Sequence, residues 1–145
     1  EVKLKKLPEY EAIKQYLSGN ECAEFNYKAY IVGPEQQQFL YLVASKRKHV
    51  IIGRHFKAPI HDGAVDVSEF TSSTKTCLDL GKPRPDQVAL FATHLQPFPN
   101  EFHVLQAQLV ALPLFVGTSE DLIYRIEDGK ISVLDKDKLS KEAAN

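Results

Sequence analysis

Two neighbouring segments with different hydrophobic patterns constrain the fold most. Within residues 25–31, apolar side chains alternate with more polar ones, which is the period of a half-buried β-strand. A Gly-Pro pair at 33–34 breaks that pattern, and residues 39–44 are then continuously apolar and rich in strand formers, which indicates a central strand. After a basic turn at 46–48, residues 49–53 complete a predicted antiparallel meander of three strands.

Two further segments have the features of helices. Residues 8–18 begin with a proline, which suits the first turn of a helix, and their apolar residues recur at helical spacing. Gly19 follows as a stop signal, so the segment is predicted to be a short helix that lies on the sheet. Asn100 is placed to cap a second helix that ends at Pro113. The apolar face predicted for it consists of Phe102, Leu105, Leu109 and Leu112. Residues 88–95 and 101–112 each fit either a helix or a strand, and the Leu, Gln and Ala residues of the second segment favour a helix there.

The remaining segments have strand or loop character. Residues 57–69 contain a proline, a glycine and several acids, and are predicted to be the longest loop. Residues 70–80, rich in Thr and Ser, return to strand character. Three short strands are predicted at the end of the chain, at 114–116, 122–126 and 131–134, the last two joined by a hairpin turn at Asp128-Gly129.

Together these patterns predict an α+β fold, with an antiparallel sheet of about six or seven strands and the N-terminal helix and one further helix packed on it. A length of 145 residues is typical of one domain, so a single domain over residues 1–145 is expected. Within it, residues 1–7 form an arm and residues 8–134 the globular body. Residues 135–145 are expected to form a frayed tail, because the apolar residues thin out there.

The charge balance and the hydropathy exclude two classes of partner. The chain has 18 basic and 19 acidic residues, which leaves a formal net charge of −1. Because nucleic-acid binders obtain much of their affinity from basic groups that neutralise phosphates, no nucleic-acid partner is expected. No apolar run approaches the roughly 18–20 residues that span a bilayer, so membrane insertion is not expected either.

The cysteine content bears on the compartment of the protein. Cys22 and Cys77 are the two cysteines, and they show no CxxC spacing. They form either a disulfide, as in exported proteins, or two reduced and buried thiols, as in cytosolic ones. The chain starts at Glu1 and has no methionine, which is the pattern of a processed mature end or of an imposed chain boundary. A periplasmic or secreted location is therefore expected, with the cytoplasm as the alternative.

Histidine is the residue type that could carry chemistry. The chain contains no GxGxxG, Walker, HExxH, GxSxG or EF-hand pattern, and no catalytic residue is assigned. His55, His61 and Asp62 lie close together in the sequence, with Asp66 just beyond them, and two imidazoles with a carboxylate are a ligand set for a divalent metal ion. The alternative is that these are unconnected surface residues, because their spacing matches no usual ligand pair.

Aromatic residues in or beside loops suggest a recognition surface. Phe56 and Phe98 are the two candidates, and Phe98 stands between two prolines. The favoured hypothesis is a small exported binding protein of the inhibitor, immunity or accessory type, which acts on another protein or a small ligand without chemistry of its own. The alternative is an enzyme or a metal- or ligand-binding domain with its site on the 55–66 loop.

Overall fold

A computed structural model describes residues 1–134 of the chain. The chain divides into two compact units, Glu1–Pro83 and a second unit that begins at Arg84. The α+β class is confirmed, since each unit combines one α-helix with a sheet in which antiparallel pairing dominates. The strands form two sheets, of five and four strands, instead of one sheet of six or seven. The single domain stays a prediction, and the predicted tail at 135–145 lies outside the described residues.

The first unit packs one helix on an antiparallel sheet. Its elements are α1 (Tyr10–Asn20), β1 (Asn26–Val32), β2 (Gln38–Ser45), β3 (Phe56–His61), β4 (Ala64–Val65) and β5 (Thr71–Ser72). The strands lie in the order β1-β2-β3-β4, and β5 also pairs with β3. The two strands predicted at 25–31 and 39–44 are confirmed as β1 and β2, and the helix predicted at 8–18 is confirmed as α1, shifted by two residues.

The core of this unit lies between α1 and the sheet. Ile13 and Leu17 of α1 are buried in one cluster with Leu40, Leu42 and Phe56 of the sheet. Burial of each such side chain contributes on the order of 1.5–3 kcal/mol. The N-terminal arm belongs to the same packing. Its Val2, Leu4 and Leu7 contact the core, and the Val2 amide donates to the Ala29 carbonyl at 2.8 Å.

The third strand of the meander is not where the pattern predicted it. Residues 50–52 are buried and exchange backbone hydrogen bonds with residues 78–81, but this contact amounts to an isolated bridge between Ile51 and Asp79 and not to a strand. The third strand is β3, inside the segment predicted as the longest loop, so both predictions were wrong. Pro59 misled the prediction, because a proline lacks only the amide, and its carbonyl still accepts a hydrogen bond from Asp66 N–H at 3.0 Å.

The prediction of a Thr- and Ser-rich strand at 70–80 was also wrong for most of that segment. Only Thr71–Ser72 pairs with β3. Beyond it, the Ser72 hydroxyl donates to the Thr74 carbonyl and the Thr74 hydroxyl donates to the Thr76 carbonyl. Such local side-chain bonds compete with a strand ladder. The segment lies close against residues 49–55, since a Cβ at Gly53 would collide with the Thr76 carbonyl.

The second unit contains a four-stranded sheet and one helix. Its elements are β6 (Leu90–Thr93), α2 (Glu101–Val110), β7 (Leu114–Gly117), β8 (Ile123–Glu127) and β9 (Lys130–Val133), with the strands in that same order. The segment at 88–95 is therefore a strand, and the predicted second helix and the last three strands are confirmed. Asp128 and Gly129 both have positive φ, as a two-residue hairpin turn requires. The β6–β7 pair is parallel, unlike every other pair.

The buried face of α2 differs from the predicted one. Its start is capped as predicted, because the Asn100 side chain accepts hydrogen bonds from the amides of Phe102 and His103. The side chains buried on the helix are those of Phe102, His103, Gln106 and Ala107, whereas Leu109 is 54% exposed. The predicted face was wrong by about one position, so a polar pair, His103 and Gln106, faces the interior. Within residues 1–134 no helix has both the length and the apolar character needed to cross a membrane.

Of the two alternatives for the cysteines, the disulfide is the one present in the first unit. Cys22 follows α1 and is bonded to Cys77, with a Cα–Cα distance of 5.9 Å and 55 residues between the two positions. The bond connects the end of α1 to the irregular segment that follows β5. The reduced, unpaired alternative does not apply to the described residues, among which no free cysteine remains.

Loss of this disulfide is expected to lower the free energy of unfolding by about 4 kcal/mol, the chain-entropy value for a loop of this size. The measurement is urea unfolding of the oxidised protein, of the reduced protein and of a C22A/C77A variant. Reductant should leave the double variant unchanged, which makes it the control. Equal midpoints for the oxidised and reduced wild type would contradict this expectation.

Candidate functional site

His55 lies in the interior of the first unit, where its ring is hydrogen-bonded to backbone groups and is not placed to bind a metal ion. Its side chain is fully buried just before β3. The Nδ1 atom accepts a hydrogen bond from the Ala44 amide at 3.0 Å, and Nε2 lies 3.0 Å from the Ile51 carbonyl oxygen. A carbonyl can only accept, so Nε2 carries the proton and the ring is neutral. Both ring nitrogens are therefore engaged, and neither faces an open site.

The three residues of the predicted metal site do not come together. His55 precedes β3 and His61 ends it, so about 20 Å of extended chain separates them. Asp62 lies in the turn between β3 and β4, where its positive φ of 50° and that of Gly63 reverse the chain. The structure therefore does not support a metal site made of His55, His61 and Asp62. Residues that are close in the sequence lie far apart when an extended strand runs between them.

His61 instead meets two carboxylates that follow the hairpin. Its imidazole and the carboxylates of Asp66 and Glu69 have potential ligand atoms that all lie within 4.8 Å of one another. Asp66 caps the short 3₁₀ helix Val67–Glu69, and its Oδ1 atom accepts hydrogen bonds from the Ser68 hydroxyl at 2.6 Å and the Ser68 amide at 3.0 Å. The hydrogen bond from the Ser68 hydroxyl is the main cause that lowers the pKa of the Asp66 carboxyl below its usual range.

Sequence reasoning noted Asp66 but missed Glu69. The signal that could have found Glu69 is the spacing of Asp66 and Glu69, which is the Asp-x-x-Glu pattern of a helix start. A helical turn there brings the fourth residue of the pattern back beside the first. The prediction of a structureless loop over 57–69 hid that turn.

Two other histidines form a pair in the second unit. His94 follows β6 and His103 lies in the first turn of α2, and their ring centroids are 4.8 Å apart in an edge-to-face arrangement. The His94 amide donates to the Gly117 carbonyl, and His103 Nδ1 accepts from the Asn100 amide. Burial lowers the pKa of His94. The pair joins the end of β6 to the start of α2.

The two aromatic candidates for a binding surface have opposite environments. Phe56 is fully buried against Tyr16 and Tyr27, so it is a core residue and not a surface anchor. An aromatic residue at the start of a strand is drawn into the core when its face of the sheet is covered by a helix. Phe98 is 63% exposed, with one edge against Tyr124 at 6.3 Å between ring centroids.

The second unit exposes apolar side chains around β6. Val88, Phe91 and Leu95 are 83%, 56% and 90% exposed. Leu90 and Ala92 of β6 are buried, whereas Phe91 and Thr93 point to the opposite side of the strand. The Phe91 ring lies beside Gly117, where a Cβ would approach its Cζ to 3.3 Å. We call this group, Val88, Phe91, Thr93 and Leu95, the β6 surface.

β6 is also an edge strand of its sheet. It pairs with β7 on one side, and within the described residues no strand pairs with its other side. The amides of Leu90 and His94 donate to the Pro113 and Gly117 carbonyls of the β7 side, each at 2.8 Å. Because backbone groups alternate in direction along a strand, those of Phe91 and Thr93 point to the open edge.

No protein-family model matches the chain, and no curated protein or solved structure that was compared with it matches either. The arguments for function therefore rest on the geometry of the chain itself.

The buried His55 predicts that the protein loses stability in mild acid. Burial lowers the pKa of His55 to about 4, whereas the unfolded chain has a value near 6.5, so the unfolded state binds more protons between these pH values. The free energy of unfolding should fall as the pH drops through this window. The total loss should be on the order of 3 kcal/mol when the pH is below the pKa of the folded state. Urea unfolding from pH 7 to pH 4 measures it.

A substitution separates this contribution from those of the other titrating groups. His55→Gln should be less stable than the wild type at pH 7 and should lose less stability on acidification. Ile13→Val, a core substitution of the same unit that removes no titrating group, is the control: it should be less stable but retain the wild-type pH dependence. A pH dependence that is the same in His55→Gln as in the wild type would refute the assignment.

Proposed function

We propose that this is an exported protein that binds another protein, by accepting an extended segment of that partner as a new strand along β6. The observation that carries the proposal is an apolar edge strand with exposed side chains, in a sheet on which α2 packs. Strand addition of this kind obtains affinity from main-chain hydrogen bonds and specificity from alternate side chains.

The composition of the edge supports this proposal. Proteins protect sheet edges from pairing with other chains by placing charged residues, prolines or bulges there. The residues of β6 are Leu, Phe, Ala and Thr, so none of these protective features is present within the strand. The opposite edge strand, β9, carries Lys130. Because β6 has no residue that would prevent pairing, its open edge is suited to bind an extended segment of another chain.

The side chains beside the edge indicate the chemistry of the partner. Phe91 supplies an aromatic group on the side of the sheet away from its buried residues, while Val88 and Leu95 flank the strand. Aromatic and aliphatic groups of this kind bind apolar side chains, since burial of apolar area is the main favourable contribution to such contacts. The partner segment is therefore expected to be extended, uncharged and alternately apolar.

The disulfide supports the proposed location. A bond between Cys22 and Cys77 persists where the surroundings are oxidising, and cytosolic reductants would keep such a pair reduced. Cys77 lies at an exposed position, so a cytosolic reductant would reach it. This supports a periplasmic or secreted location. Binding by strand addition requires no catalytic residue.

Peptide selection tests the proposal. Peptides selected from a random displayed library against the oxidised protein should be alternately apolar. Phe91→Lys, which places a charge on the β6 surface, and Thr93→Pro, which removes an outward amide, should each weaken their binding by at least about tenfold. Fluorescence anisotropy with labelled peptides measures the affinity.

Leu109→Lys is the matched control. It replaces another exposed apolar residue of the same unit by the same cation, on α2 and away from the β6 edge, and should bind the peptides as the wild type does. Equal losses in Phe91→Lys and Leu109→Lys would argue against the proposal. Sedimentation across a range of protein concentrations identifies self-pairing. A dimer that Phe91→Lys dissociates would assign the edge to a second copy of the chain instead.

A further inference from the structure

The cluster of His61, Asp66 and Glu69 has the composition of a metal site. Imidazole nitrogen and carboxylate oxygen are both ligands of divalent first-row ions, and the three side chains leave further coordination positions for water. Among residues 1–134, neither carboxylate is within ion-pair distance of a lysine or an arginine. Two carboxylates beside one imidazole thus form a group whose negative charge a cation would offset.

The backbone brings these side chains together without a long loop. His61 pairs with Ala64 across the β3–β4 hairpin, and the chain then passes Asp66, whose amide is bonded to the Pro59 carbonyl. The Glu69 amide donates to the Asp66 carbonyl at 3.2 Å, which closes the helical turn and returns Glu69 to the side of Asp66. The three residues are therefore positioned by paired backbone.

The dimensions of the cluster suit one ion. Metal bonds of about 2.1 Å keep neighbouring ligand atoms roughly 3–4 Å apart. The potential ligand atoms here lie within 4.8 Å of one another, so a shift of about an ångström completes the site. His61 and Glu69 are exposed and can make that shift, whereas Asp66 is held by Ser68. A hydrogen-bonded carboxylate of this kind is the usual support for a metal ligand.

We propose that His61, Asp66 and Glu69 together bind one divalent transition-metal ion, for which Zn²⁺ is the probe. The imidazole favours such an ion over Mg²⁺ or Ca²⁺, which prefer ligand sets made of oxygen alone. This inference is independent of strand addition at β6, because it concerns the other unit. Bound metal would join the end of β3 to the turn after β4 and so stabilise the first unit.

Isothermal titration with Zn²⁺ tests the site. The oxidised wild-type protein should bind Zn²⁺ saturably with one site that His61→Gln, Asp66→Asn and Glu69→Gln each weaken at least about tenfold. Asp66→Asn keeps an oxygen that can accept from Ser68, so the turn is retained and the loss reports on the ligand. Millimolar Mg²⁺ should not displace the ion.

Asp62→Asn is the matched control, because it removes an exposed carboxylate from the same hairpin but outside the cluster. It should bind Zn²⁺ as the wild type does. Thermal unfolding gives a second measurement. Zn²⁺ should raise the Tm of the wild type and of Asp62→Asn, but not that of the three cluster variants.

Three outcomes would overturn the proposal. They are no saturable binding by the wild type, equal weakening by Asp62→Asn, and binding that His61→Gln leaves unchanged. The peptide-binding variant Phe91→Lys should keep its affinity for Zn²⁺, so failure of the metal site and failure of the β6 proposal are distinguishable.

Discussion

The first unit depends on a neutral imidazole buried where regular structure ends. His55 connects the amide of Ala44, at the end of β2, to the carbonyl of Ile51, and the His55 amide donates a hydrogen bond to the Ser73 hydroxyl oxygen at 3.1 Å. Residues 50–52 are buried although they form no strand, because Val50 and Ile52 exchange backbone hydrogen bonds with residues 78–81 and the His55 ring takes the Ile51 carbonyl. The Cys22–Cys77 bond then attaches the neighbouring irregular segment to the end of α1. One hydrogen-bonded ring, one covalent bond and the short contact between residues 50–52 and 78–81 thus hold this region in place of a longer sheet.

The parts of the fold that could be predicted are those with local signals. α1, β1 and β2 follow from their apolar period, and the last hairpin follows from Asp128-Gly129. β3 could not be predicted in this way, because Pro59 is a local signal against a strand. The strand forms because β2 and β4 pair with it on its two sides, which the local sequence does not reveal. The parallel pairing of β6 with β7 could not be predicted either. It depends on α2, which connects the two strands in the sequence, and not on the residues of either strand alone.

The candidate sites show the same division. Residue type and proximity selected His61 correctly as a member of a cluster, but they also selected His55, because spacing along a chain carries no information about burial. Glu69 was missed since a turn, and not the sequence distance, brings it to His61. Phe98 between two prolines is exposed, as expected, whereas Phe56 is in the core. The β6 edge was beyond prediction, because a strand is an edge only when the order of the whole sheet is known.

Whether β6 offers an open edge to a partner can be measured by amide hydrogen exchange of the free, oxidised protein. Exchange should be slow at Leu90 and His94, whose amides are bonded to the β7 side, and fast at Phe91 and Thr93, whose amides point outward. This alternation should disappear when a peptide pairs with the edge. Protection of Phe91 and Thr93 in the free monomer would mean that the edge is already paired and that β6 is not open to a partner.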